Sequence, residues 1–307
     1  YYINRFVFNH NVDRHFDHFR SEFIKSTRTE YHSHSDLVYD SPDVDILAVG
    51  SDVVWGSLGK DPVYFLDFGD EKIKRISLAA SFGKCDDCLE NNDLIILEKA
   101  LERIDSISVR EDSGVGICKK AGREDAICIC DPTMLLERDV YKGLAIGMKE
   151  ANKSKDFIYY LSDHTSCVSD RYIVKYLRMH DISFNYTFAE GSVNSIPKVF
   201  PSIPEWIGFV EGADTIITNS FHGVIFSIIF RKQFIAIPLK NDNLNTRIKS
   251  ILNVCGLESR LCYDKRNFDI IYTTTIDYSL IEYKIEAFVT KSKEFINASI
   301  NECSKHY

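Results

Sequence analysis

Apolar residues along this chain shift repeatedly between the three-and-four spacing of a helix and the short unbroken runs of a buried strand. Phe16, Phe19 and Phe23 share one helical face, which predicts a helix over 8–25. The polar stretch 31–42 reads as a loop in which His32 and His34 are solvated rather than metal ligands. Apolar runs bounded by glycine, proline or charge predict strands at 44–50, 73–83, 106–111 and 126–132. Between them, Leu94, Leu97 and Leu101 place a helix over 92–103, and 113–122 forms a second, closed by Gly122. The rhythm restarts after 131–143. Strands are expected at 156–161, 182–188, 215–218 and 234–238, and helices at 169–180, 203–213, 223–230 and 246–255. One long helix fills 277–304, either packing back on the first half of the chain or mediating an oligomer.

Alternating strands and helices imply mainly parallel sheets covered on both faces, an α/β fold. The break at 131–143 divides the chain into two Rossmann-like domains, 1–141 and 142–307, expected to face a cleft. In such sheets ligands lie beyond the carboxyl ends of the strands. The residues there are Ser51, Asp52 and Trp55; Ser81 and Phe82; Arg110 and Glu111; Asp131; and Asn219, Ser220, Phe221 and His222.

Charge and composition narrow the partners. The net charge is −8 and no basic block occurs, which disfavours a nucleic-acid groove. No apolar window is long enough for a membrane-spanning helix, and no signal-peptide pattern is present. The chain opens on Tyr1-Tyr2 rather than Met, so an N-terminus that is cut, processed or left unseen is expected. Nine scattered cysteines suit free thiols in a reducing cytoplasm. Cys85-x-x-Cys88 lacks the second pair or histidine that a zinc site needs, so no metal is expected.

The segment Asn219-Ser220-Phe221-His222-Gly223 lies between a buried strand and an apolar helix. Asn219 or Ser220 can cap that helix, Gly223 admits close approach to the backbone, and a helix start favours an anion. His222 directly follows a central strand, and an imidazole near pKa 6.5 can give up a proton at neutral pH. Its competing reading is a histidine bonded to a carbonyl in a tight turn, and spacing does not separate the two. Arg110 at a strand exit can hold a carboxylate or phosphate through two parallel bonds, or else an acidic neighbour in the fold.

Seven segments then occur in order: AVGSDVVWG, YFLDF, SLAASFG, SISVRE, DPTMLL, EWIGFVEGADTIITNSFHGVIFSIIF and NTRIKSIL. Together they resemble the polysaccharide pyruvyltransferase family over residues 14–258, most strongly at 205–230. The resemblance implies a fold similar to GT-B glycosyltransferases. It implies transfer of a pyruvyl group from phosphoenolpyruvate to a sugar of a cell-surface glycan, closing a ketal. The family's arginine after the "SVR" strand matches Arg110, and the histidine of its Arg-x-His motif matches His222. Ser220 stands where that motif has arginine, and Arg247 is the expected replacement cation. The strand-loop-helix unit with which the family opens has no counterpart before Tyr1, so the first domain is expected to lack it.

By this resemblance His222 is the general acid, and Arg110, Arg247 and the 219–223 backbone hold the donor's carboxylate and phosphate. Glu111 or Asp52 would accept a hydroxyl proton, Ser51 and Ser81 would line the acceptor side, and Trp55 would stack on a sugar or else serve the core. The donor is a substrate and no cofactor is required. A glycan or lipid-linked acceptor would be met in the cytoplasm, with at most peripheral membrane contact. The competing expectations are a nucleotide-sugar glycosyltransferase on the same plan and a non-catalytic glycan-binding relative.

Overall fold

The protein's computed structural model describes residues 16–145, 155–160, 165–188 and 197–301. Parts of three expected elements, 8–15, Leu161 and 302–304, lie outside them. In chain order the helices are α1 (Phe16–Phe23), α2 (His34–Tyr39), α3 (Asn91–Glu102), α4 (Asp112–Lys120), α5 (Arg138–Leu144), α6 (Asp170–Met179), α7 (Ile203–Gly212), α8 (Phe221–Ile229), α9 (Thr246–Cys255), α10 (Lys265–Thr273) and α11 (Glu282–Asn301). The strands are β1 (Ile46–Val49), β2 (Lys74–Ser77), β3 (Ser108–Val109), β4 (Ile127–Cys128), β5 (Asp156–Tyr160), β6 (Phe184–Phe188), β7 (Thr215–Thr218) and β8 (Gln233–Ala236). All the described strand pairs are parallel, as expected of an α/β chain.

Two compact units share the chain. One comprises residues 1–25, 136–248 and 257–280, and the other 26–135, 249–256 and 281–307. The second holds β1 paired with β2 and β3 paired with β4, and isolated parallel bridges at Ile76–Ser106 and Ala80–Val109 join the two pieces. Its core gathers Trp55, Phe65, Phe82, Leu97, Leu101 and Ile117. Helix α11 belongs to this unit, and its Ser292 hydroxyl accepts the Cys130 N–H at 2.9 Å.

The first unit carries a four-stranded sheet in the order β6-β5-β7-β8. Strands β5 and β7 are almost wholly buried, which explains runs such as TIIT that show no polar alternation. Ile158, Tyr160, Ile173, Leu177, Tyr186, Ile217, Ile235 and Phe268 form its core.

Several local expectations are corrected. The stretch expected as a loop at 31–42 contains α2, because the Ser33 hydroxyl accepts the Asp36 N–H and caps it. His34 is not simply solvated there, since its Nε2 meets the Asp67 carbonyl at 2.6 Å. Helix α10 was not anticipated; Asp264 caps it by accepting the Arg266 and Asn267 N–H groups. The boundary stretch holds α5. Cys85 and Cys88 are not free thiols but form a disulfide with Cα atoms 5.6 Å apart, within the bridging range. Among the described residues Cys118, Cys128, Cys130, Cys167, Cys255 and Cys262 form no disulfide.

Candidate functional site

Strand order reverses between β5 and β7: β6 lies to one side of β5, and β7 and β8 to the other. That reversal opens a crevice at the carboxyl ends of β5 and β7, the usual ligand position in an open parallel sheet. The turn after β7 is built by its own side chains. Thr218 Oγ1 donates to the Tyr159 carbonyl at 2.7 Å and accepts the Ser220 N–H at 3.0 Å. Ser220 then caps α8, its Oγ accepting the Gly223 N–H at 3.4 Å. Asn219 Nδ2 donates to Ser166 Oγ at 2.8 Å. Asn219 and Ser220 are 4% and 2% exposed, so these side chains serve the turn.

Phe221 is buried, with its ring edge-on to His222 at 5.4 Å. His222 is partly exposed at the second position of α8 and lines a cavity of about 370 Å³. The other walls come from Phe16 of α1, Tyr159 of β5, Thr187 of β6, the 201–203 segment, Trp206 of α7 and Phe226 of α8.

Arg247 is the second residue of α9 and partly exposed. A chain of bonds ties its helix start to the His222 turn. Ser166, which receives Asn219, forms an antiparallel bridge with Leu239. Leu239 in turn gives its N–H to Asn245 Oδ1 at 2.8 Å, and its carbonyl accepts from Asn245 Nδ2 at 2.9 Å. Asn245 immediately precedes α9. Neither Ser166 nor Asn245 was singled out from sequence, because their partners lie on other segments.

In the other unit, strand exits again converge. Arg110 is 3% exposed; its guanidinium donates to the Ser51 carbonyl, to Asp131 Oδ2 at 2.9 Å and to Asp52 Oδ1 at 3.3 Å. Ser51 Oγ adds a bond to the same Asp131 oxygen at 2.8 Å. Thr133 supplies its N–H and hydroxyl to the other carboxylate oxygen, at 3.0 and 2.7 Å. Asp131 is thus the main partner of Arg110, a role its position after β4 did not disclose. Asp52 is the open side of the cluster, with its side chain 75% exposed.

Two expectations fail here. Glu111 is fully buried, and its Oε1 accepts the Ser81 hydroxyl at 2.9 Å and the N–H groups of Phe82 and Gly83 at 2.9 and 3.1 Å. It and Ser81 fasten the turn after β2 and are not placed to take a proton from an acceptor. Trp55 is also fully buried, stacked on Phe65 at 5.2 Å and tilted against Phe82, with its indole N–H on the Tyr64 carbonyl at 2.8 Å. No face is left for a sugar.

Among the described residues no group of three or more His, Cys, Asp or Glu side chains is arranged to hold a metal ion. The family model described as polysaccharide pyruvyl transferase matches residues 1–241. No curated protein matches the chain significantly.

Proposed function

This chain belongs to the polysaccharide pyruvyl transferase family and is a transferase, and on that premise we propose that it moves a pyruvyl group from phosphoenolpyruvate to two hydroxyls of one sugar in a cell-surface polysaccharide or its precursor. The observation that carries the reading is His222 itself. It stands at a helix start, at the carboxyl end of β7, beside the reversal of strand order. A proton donor and an anion-favouring helix terminus are thereby side by side.

His222 gives its proton to the enol methylene of the donor, leaving a cationic centre at the adjacent carbon. A sugar hydroxyl attacks that carbon, phosphate departs with that hydroxyl's proton, and a second hydroxyl closes the ketal, its proton restoring His222. Donor anions rest on the backbone at the start of α8 and on Arg247, which compensates for Ser220. Arg110 serves a carboxylate or phosphate by exchanging its exposed partner Asp52, while Asp131 keeps the guanidinium in place. With Glu111 committed, Asp52 is the acidic group left to accept a hydroxyl proton. Two parallel α/β units are consistent with a GT-B-like pair of Rossmann-like domains. No described helix is long and apolar enough to cross a membrane, and contact with a lipid-linked acceptor at the cytoplasmic face would be peripheral.

The test is phosphate release from phosphoenolpyruvate in the presence of an acceptor glycan. His222→Ala should lose most of the rate and keep its thermal transition; normal turnover would remove His222 from the mechanism. Stabilisation by a nucleoside diphosphate, with indifference to phosphoenolpyruvate, would transfer the chain to the glycosyltransferase reading.

A further inference from the structure

We propose that the aromatic cavity beside His222 is the subsite for the sugar ring that receives the pyruvyl group, with Trp206 as its stacking platform. The proposal rests on the pyruvyl-transfer reading for its place in the reaction, but not for the binding it asserts.

The lining decides the ligand class. Phe16, Tyr159, Trp206 and Phe226 supply aromatic wall, and Thr187 and His222 supply polar groups. Among the described residues no Lys, Arg, Asp or Glu lines the cavity. Among the described lining residues a donor's carboxylate and phosphate would find no lysine or arginine to pair with. A pyranose has one face of C–H groups and a rim of hydroxyls, and suits an aromatic floor with a few hydrogen-bonding groups at its edge. The volume, about 370 Å³, falls within the roughly 300–1,000 Å³ of small-molecule sites.

The indole is also held in advance. Tyr159 and Phe226 meet it edge-on at 5.3 and 5.1 Å, at interplanar angles of 70° and 90°, and Phe157 does so at 6.3 Å and 69°. These contacts fix the plane of the ring, and Trp206 is still partly exposed. Its Nε1 is buried and has no hydrogen-bond partner among the described residues, so ring packing rather than hydrogen bonding sets its orientation. Trp55, by contrast, is stacked and fully closed over. His222 borders the cavity from the start of α8, so a ring seated on Trp206 would present its hydroxyls next to the proposed acid.

The chain contains two tryptophans, which makes the test direct. Intrinsic fluorescence of the full chain is followed while methyl glucoside, galactoside or mannoside is added at millimolar concentration, and separately with phosphoenolpyruvate. At least one hexoside should perturb the emission of the parent saturably, and its binding, read by titration calorimetry, should be lost in Trp206→Leu and persist in Trp206→Tyr. Trp206→Leu should also raise the acceptor KM at least tenfold while the thermal shift given by phosphoenolpyruvate stays as in the parent. Silence towards every hexoside, or a response to phosphoenolpyruvate that depends on Trp206, overturns the proposal. Hexoside binding without any pyruvyl transfer would leave the subsite standing and remove the proposed reaction instead.

Discussion

The hydroxyl of Thr218 occupies the space in which a side chain on Gly223 would have to begin. A Cβ built on Gly223 would stand 2.3 Å from Thr218 Oγ1 and 2.9 Å from its Cβ. Thr218 cannot turn aside without losing its bonds to the Tyr159 carbonyl and the Ser220 N–H. Gly223→Ala should therefore cost about 1–3 kcal/mol, the usual range for overpacking. A fall of several degrees in the melting temperature, with weaker stabilisation by phosphoenolpyruvate, is the expected result. An unchanged transition would show that the turn yields freely.

Arg110 and Asp131 are a buried pair, and removing one member of such a pair costs about 3–5 kcal/mol. Arg110→Ala should lower the urea midpoint strongly, because Asp131 keeps its Ser51 and Thr133 bonds but loses its counter-charge. Adding Asp131→Asn should recover part of that loss. Strictly additive midpoints would mean that the two do not act as a unit. Activity of the single variant has to be read beside its stability for the same reason.

Asp156 supplies a pH dependence. Burial raises its carboxyl pKa to about 7, against a smaller opposing effect of the Tyr272 hydroxyl bond at 2.9 Å. The folded state then keeps the proton that the unfolded chain has released. This contribution favours folding fully below the ordinary carboxylate range and is lost as pH rises from there to about 7. Melting temperature should fall over that interval more steeply in the parent than in Asp156→Asn. Parallel profiles would place the carboxyl's titration elsewhere.

Trp55 and Trp206 should separate cleanly in mutagenesis. Trp55→Ala removes a fully buried indole and should cost about 3–5 kcal/mol by chemical denaturation. Trp55→Phe, which retains a ring between Phe65 and Phe82, should fold and use acceptor with a KM close to the parent's. A selective rise in acceptor KM for Trp55→Phe would return that residue to the site.

The turn 218–223 was legible in sequence because its signals are local. An apolar strand, a capping serine, a glycine and an apolar helix follow within a dozen residues, and β7, the Ser220 cap and α8 form there. The start of α9 beside Arg247 was legible for the same reason. The roles of Glu111 and Trp55 were not. A carboxylate or an indole after a strand looks the same facing out or in, and the partners that decide it, Phe82 and Gly83 for Glu111, and Phe65 and Phe82 for Trp55, lie elsewhere along the chain. Asp131 as the anchor of Arg110 was hidden likewise, since charge pairing across strands leaves no spacing to read. Helices α2 and α10 each rest on a single capping residue, Ser33 or Asp264, too weak a mark to stand out among polar neighbours.

The interleaving of the two units sets an order of assembly during synthesis. Residues 26–135 leave the ribosome before the His222 sheet is made, yet the Cys130 N–H is met by Ser292 of α11, which emerges only after that sheet. The sheet with His222 has all its strands by residue 236 and receives α10 by 273. The earlier-made unit is therefore the later one to be finished. A nascent chain stalled before α11 would carry a completed His222 sheet and an unclosed partner with exposed core, a natural target for holding chaperones.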